Sequence, residues 1–296
     1  MTAPRSRSLA VPALLFLLTL LFTLVMGVQF HLSFYNLALP AGQGFWEFLW
    51  RHPGAWLWGA PYSFSLLGIL LVHEMGHFAA CRRHGLEATL PHFIPAPTLI
   101  GTFGAFIKIR SPFSSKRALF DVGLAGPLAG FLVALPVIAL GISLSRVVDR
   151  AALAAGLSLG EPLVFRLLSL LLLGELPARS GLLVHPMAFA GWFGLLATAF
   201  NLFPIGQLDG GHILYAVLGR KKALIAGVAA IALLVLLGIF FWQGWLFWAL
   251  IATLIGLRHP PIFEEERLDR KRKVLAAVAL LIFILSFTPA PLALLP

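Results

Sequence analysis

Leu70-Leu-Val-His73-Glu74-Met-Gly-His77-Phe-Ala-Ala-Cys81-Arg82-Arg83 is the stretch on which the reading of this chain turns. Apolar residues fill Ile69 to Val72, and Met75 to Ala80 are apolar apart from His77 itself. In a helix, His73 and His77 stand one turn apart on the same face, about 6 Å along the axis. Two imidazoles so placed can share one Zn²⁺, and Glu74 beside them can take a proton from water. Burying a glutamate in such a run without compensation is costly, which makes Glu74 a functional candidate. The competing reading is a polar cluster that merely ties helices together.

Working outward, the 296 residues are 59% hydrophobic and only 11% charged, with a mean hydropathy of +0.93. Soluble domains carry roughly 25% charged residues, so an integral membrane protein is expected. The single cysteine, Cys81, excludes an intramolecular disulfide and a cysteine-built zinc site.

Apolar runs predict an all-α polytopic membrane protein with about seven transmembrane helices. They fall at Ala10 to Val28, Trp56 to Cys81, Leu119 to Leu144, Leu183 to Phe203, Ala223 to Phe241, Trp245 to Leu257 and Val274 to Leu295. With the N-terminus inside, 17 of the 22 basic residues fall in inner segments, among them Arg5, Arg7, Arg258 and the run Arg270 to Lys273. The five on the outer side are Arg51, Arg146, Arg150, Arg166 and Arg179. This bias sets the orientation and accounts for the net charge of +10 without any nucleic-acid partner. Pro162 to Leu173 is too short to span and reads as an interfacial helix.

Leu90 to Pro112 is apolar but is interrupted by four prolines, so no regular helix is expected there. Within it, Gly101 to Ile109 is rich in β-branched and aromatic residues. A short re-entrant β-like loop or hairpin near the active site is the expectation, against an ordinary surface hairpin.

A catalytic zinc usually takes three protein ligands and keeps one position open. The third ligand comes from Asp121, Asp209 or His212, the polar residues set in apolar surroundings. Asp121 is better placed to cap the third span. Asp209 follows Pro204 and Gly206 and precedes Gly210 and Gly211, a run that permits a sharp bend toward another helix. Asn201 either hydrogen-bonds a substrate backbone or orders its loop, and His212 is either a supporting donor or structural. Gly126 and Gly130, in Ala125-Gly-Pro-Leu-Ala-Gly130, read as close helix packing.

His73-Glu-Met-Gly-His77, the Gly101-Thr-Phe-Gly104 stretch, Ala125 to Gly130, and Asn201-x-x-Pro204 leading to Leu208-Asp209-Gly210 together resemble the site-2 protease family, in the same order. The resemblance covers residues 67–219, expected as the catalytic core, between an N-terminal part, 1–66, and additional helices in 220–296. It implies an intramembrane zinc metalloprotease that hydrolyses peptide bonds of membrane-embedded proteins in a lipid bilayer. It further implies one Zn²⁺ per chain held by His73, His77 and Asp209, with Glu74 as catalytic base. The substrate-binding candidates are Asn201 and, in the glycine-rich loop whose edge the family is thought to offer to substrate, Gly101, Phe103 and Gly104. A bacterial or archaeal cell membrane, with the site toward the cytoplasm, is the expected location. Many bacterial relatives carry a PDZ domain, and no segment here fits one. The rival is a non-hydrolytic zinc-binding protein or metal transporter. A transport path would spread polar residues over several depths, whereas these gather at one. The oligomeric state is not legible in the chain.

Overall fold

A computed structural model describes residues 9–153, 157–256, 262 and 266–294. Arg5, Arg7 and Arg258, counted above among the inner charges, lie outside the described residues. Helix α1 (Ala10–Tyr35) ends where Asn36 turns left-handed at φ 51° and its N–H closes on the carbonyls of Leu32 and Ser33. A short helix α2 (Phe45–Arg51) and a 3-10 turn, Pro53–Gly59, lead into α3 (Ala60–Arg83), which carries the histidines. Helix α4 (Lys116–Ser143) starts at Ser115, whose hydroxyl accepts the Ala118 N–H at 3.2 Å. Then come α5 (Leu163–Leu173), α6 (Pro186–Asn201), α7 (Asp209–Leu218), α8 (Arg220–Phe240), α9 (Gly244–Ile255) and α10 (Arg270–Ser286).

Among the described residues four segments, not seven, are long and apolar enough to cross a membrane: α1, Pro53–Arg83, α4 and α8. The protein is accordingly a multi-pass membrane protein, but the expected count was too high. The surplus came from apolar runs longer than the helices they form. Helix α6 has 16 residues, about 24 Å at 1.5 Å each, against a hydrocarbon core of about 30 Å. It stops at Asn201, and the turn around Pro204 begins. Helix α9 has only 12 residues. Helix α10 has 17, but its first four are Arg270 to Lys273, and it ends before Pro289 and Pro291.

The expected re-entrant element is also corrected. Strands β1 (His92–Pro95) and β2 (Thr102–Phe106) form an open, two-stranded antiparallel hairpin, with Phe93 opposite Ala105. It lies against α1 and α3 and is neither a closed sheet nor a re-entrant loop. Gly101 (φ +85°) and Gly104 (φ +102°) take conformations closed to most side chains, and four prolines keep the segment out of a helix. Two further antiparallel pairs, β3 (Arg146–Asp149) with β5 (Ser180–Leu183) and β4 (Leu157–Leu159) with β6 (Leu292–Leu294), tie the long connections together. The segment 162–173 is helical as expected, and too short to span.

The main core gathers Leu66 and Ile69 of α3, Leu119 and Ile138 of α4, and Trp192 and Leu195 of α6. Helix α1 is fastened to α3 by a buried pair of hydroxyls, Thr23 and Ser63, 2.6 Å apart. Tyr62 reaches the hairpin's connecting turn by donating to the Ile100 carbonyl at 2.9 Å. The metal motif therefore sits in the middle of the packed helices, not on their rim.

Candidate metal centre

On α3 the helical period turns His73, Glu74 and His77 inward, where they are 5%, 6% and 7% exposed. Asp209, the first residue of α7, is brought to them by a fold-back after α6. That fold-back requires its glycines. A Cβ on Gly210 would lie 2.0 Å from the Leu202 carbonyl oxygen, and one on Gly211 would lie 2.4 Å from the Gly206 carbonyl oxygen. With no side chain at either position, the start of α7 can press against the end of α6, and Asp209 points back at α3.

The three ligand atoms form a nearly equilateral triangle. His73 Nε2 and His77 Nε2 are 3.2 Å apart, and Asp209 Oδ2 lies 3.4 Å from the first and 3.3 Å from the second. A tetrahedral zinc with bonds of about 2.0–2.1 Å separates its ligands by about 3.3 Å. The cluster therefore fits one face of a zinc tetrahedron, the fourth vertex being free for water or substrate. Two nitrogens and one carboxylate oxygen also suit zinc chemically.

His77 is set for this role by its other nitrogen. Nδ1 lies 2.7 Å from the Val122 carbonyl, which can only accept, so Nδ1 carries the proton and Nε2 keeps its lone pair for a metal. Glu74, buried on the same helix, is outside the triangle.

The other sequence candidates separate clearly. Asn201 is at the site, its amide nitrogen 3.2 Å from His73 Nε2. Asp121 is not a ligand, nor is it the cap of α4, a role taken by Ser115. Its carboxylate is held by Arg272, whose Nε is 2.8 Å away, and by His84 at 2.9 Å. His212 stands outside the cluster, edge-on to Phe113 at 5.6 Å. Gly101 backs onto α1, where a Cβ would lie 2.9 Å from the backbone of Thr23, while Phe103 of β2 is exposed and Gly104 partly so.

Gly126 and Gly130 do more than let two helices approach. A Cβ on Gly126 would come 2.1 Å from His77 Nε2, and one on Gly130 would lie 3.0 Å from His73 Nδ1. The two glycines make the space that the two rings occupy. The signal was present in the sequence: both pairs are spaced four apart, as facing antiparallel helices require.

The profile of "Peptidase family M50" matches residues 61–242, which include every member of this cluster. The chain is 32% identical over 235 residues to "Probable zinc metalloprotease EGY1, chloroplastic" of Arabidopsis thaliana, covering 77% of this chain and 42% of that protein. It is 36% identical over 179 residues to the protein of the same name from Oryza sativa subsp. japonica, covering 59% and 31%. It is 31% identical over 243 residues to "Probable zinc metalloprotease EGY2, chloroplastic" of Arabidopsis thaliana, covering 79% and 42%. The chain thus spans less than half the length of these curated relatives. No solved structure matches it. The family match over most of the chain, with the His-His-Asp triangle inside the matched region, places this protein in peptidase family M50, alongside the site-2 type zinc metalloproteases.

Proposed function

We propose that this protein is an intramembrane zinc endopeptidase cutting membrane-embedded protein substrates. The observation that carries the reading is the triangle of His73, His77 and Asp209 beside buried Glu74, with both histidines and Glu74 on a segment long enough to span a bilayer. His73, His77 and Asp209 would hold one zinc per chain. When bound, the metal would polarise the scissile carbonyl and lower the pKa of water at its open position.

Glu74 then serves as the proton carrier. It accepts a proton from the attacking water as the new C–O bond forms, and delivers it to the leaving amine nitrogen as the peptide C–N bond breaks. Asn201, beside His73, is suited to orient a substrate carbonyl. Gly101, Phe103 and Gly104 are assigned to substrate through the hairpin, whose strand β2 lies against α3. The core assigned to catalysis is 67–219. The site's inner-side orientation rests on the retained spans alone, with Arg82, Arg83, Lys108, Arg110, Lys116 and Arg117 gathered from the end of α3 to the start of α4. The basic residues beyond α4 were sided by seven alternating spans, and their siding falls with that count. The expected bacterial or archaeal membrane stands beside relatives named as chloroplast proteins.

The test is metal analysis of purified protein together with cleavage of a model transmembrane substrate. Glu74→Gln is expected to keep zinc and lose cleavage by about two to four orders of magnitude. A Gln variant that still cleaves removes Glu74 from its role, and wild-type protein that holds zinc but cleaves no membrane substrate favours the non-hydrolytic rival.

A further inference from the structure

Helices α3, α4 and α10 do not close on one another where α3 ends and the other two begin. They leave a cavity of about 780 Å³, within the size range of ligand sites. Its chemistry is divided. Leu124, Leu128 and Leu275 supply an apolar wall, while Arg83, Arg117, Lys271 and Arg272 bring positive charge. Asp121 is the one carboxylate among the described lining residues, and it is already engaged by Arg272 and His84. Arg117 pairs with Glu266 at 3.0 Å, both side chains exposed. Arg83 and Lys271 have no carboxylate partner among the described residues, so the mouth retains uncompensated positive charge.

The charge sits where the backbone makes it costlier. Neither α4 nor α10 has an acidic residue in its first turn, and Asp269, the cap of α10, is already engaged by Arg272. Lys116, Arg117 and Arg270 to Lys273 stand there instead, against the positive ends of the two helix dipoles. An anion at the mouth would relieve both. Leu124 and Leu128 of the apolar wall follow α4, a segment long enough to cross a bilayer, so it leads from the mouth toward hydrocarbon. A ligand with an anionic head and a hydrocarbon tail matches both halves.

We propose that the cavity between α3, α4 and α10 holds an anionic phospholipid, its phosphate held by Arg83 and Lys271 and an acyl chain along Leu124, Leu128 and Leu275. Such a lipid would bridge the metal helix, the helix that supplies the carbonyl to His77, and the C-terminal helix. A general surplus of basic residues on one side would attract anionic lipid without any cavity, and the experiment separates the two.

Full-length protein is loaded with phosphatidylglycerol or phosphatidylcholine in detergent, and retained lipid is counted by native mass spectrometry. Arg83→Gln with Lys271→Gln is compared with Lys221→Gln and Lys222→Gln, exposed lysines at the start of α8 outside the cavity. The expected result is preferential retention of phosphatidylglycerol, reduced roughly tenfold or more by the cavity pair and unchanged by the α8 pair. Leu128→Trp, which fills the apolar wall and leaves the charge intact, is expected to reduce retention as well. Equal losses from both charge pairs, or retention indifferent to headgroup, would overturn the proposal. Retention unaffected by Leu128→Trp, or full displacement of the lipid by millimolar inorganic phosphate, would reduce the site to a simple anion cradle and overturn the lipid assignment.

Discussion

His77 donates its Nδ1–H to the carbonyl of Val122 at 2.7 Å. The residue just before Val122 in α4 is Asp121, gripped by Arg272 of α10. One turn of α4 therefore orients a metal ligand on one side and anchors the C-terminal helix on the other. That turn leads into Gly126 and Gly130, which leave the imidazoles their space. A methyl group at 126 would sit 2.1 Å from His77 Nε2, whereas one at 130 would come no closer than 3.0 Å to the His73 ring. Gly126→Ala is accordingly expected to lower zinc affinity by about 10–100-fold with helical content retained, and Gly130→Ala by less. Zinc titration against a competing chelator measures both. Wild-type affinity in Gly126→Ala would mean that the ring has another place to go.

Asp209 and Asp121 were rival third ligands, and the structure assigns them different work. Asp209→Ala should abolish tight zinc retention while leaving the fold. Asp121→Ala should keep zinc but strip Arg272 of its carboxylate inside a partly buried cluster. The side chains of Asp121 and Arg272 are 26% and 21% exposed, so the loss should be about 1–3 kcal/mol, between exposed and buried pairs. Thermal unfolding and metal content, measured on both variants, check the division. Zinc loss from Asp121→Ala equal to that from Asp209→Ala would contradict it.

These two aspartates also show where sequence reading reached its limit. His73, Glu74 and His77 were legible because polar residues at helical spacing stand out in an apolar run. Asp209 could be isolated only with the family resemblance, since the fold-back at Gly210 and Gly211 that delivers it is a property of packing. Asp121 looked like a cap because an apolar run follows it, and its partner Arg272 lies 151 residues away, beyond any local pattern. The span count failed for a related reason. Hydropathy counts apolar residues but does not see that α6 stops at Asn201 or that α10 spends its first turn on Arg270 to Lys273.

Removing the metal should cost stability as well as activity. A ligand that binds only the folded state adds about 2.7 kcal/mol when free at a hundred times its Kd. Chelation should therefore lower the thermal midpoint, and added zinc should restore it. The shift should persist in Glu74→Gln, because Glu74 is outside the ligand triangle, and vanish in Asp209→Ala. Differential scanning in matched zinc buffers gives the comparison, and a chelator-insensitive wild-type protein would argue that these ligands do not hold a folding-linked metal.

The last prediction concerns the two edges of β2. Successive backbone N–H groups of a strand point in opposite directions. Just beyond β2, the N–H and carbonyl of Lys108 both turn to Thr89 across the hairpin, so two residues earlier the Phe106 N–H faces β1 and the Ala105 N–H faces the other way, toward the open edge. Proline has no N–H to donate. Phe106→Pro should then weaken the pairing of Phe106 with His92 and lower stability by about 1–3 kcal/mol. Ala105→Pro should leave the hairpin and the zinc site intact. If the open edge of β2 receives an unwound substrate strand, Ala105→Pro should nonetheless cut proteolysis of a model transmembrane substrate at least tenfold, because a ladder donor is lost at the point of attack. Zinc content, thermal midpoint and cleavage, measured together on both variants, decide the matter. Full cleavage by Ala105→Pro at normal zinc content would remove the substrate-strand role from this edge, leaving the hairpin as a packing element against α3.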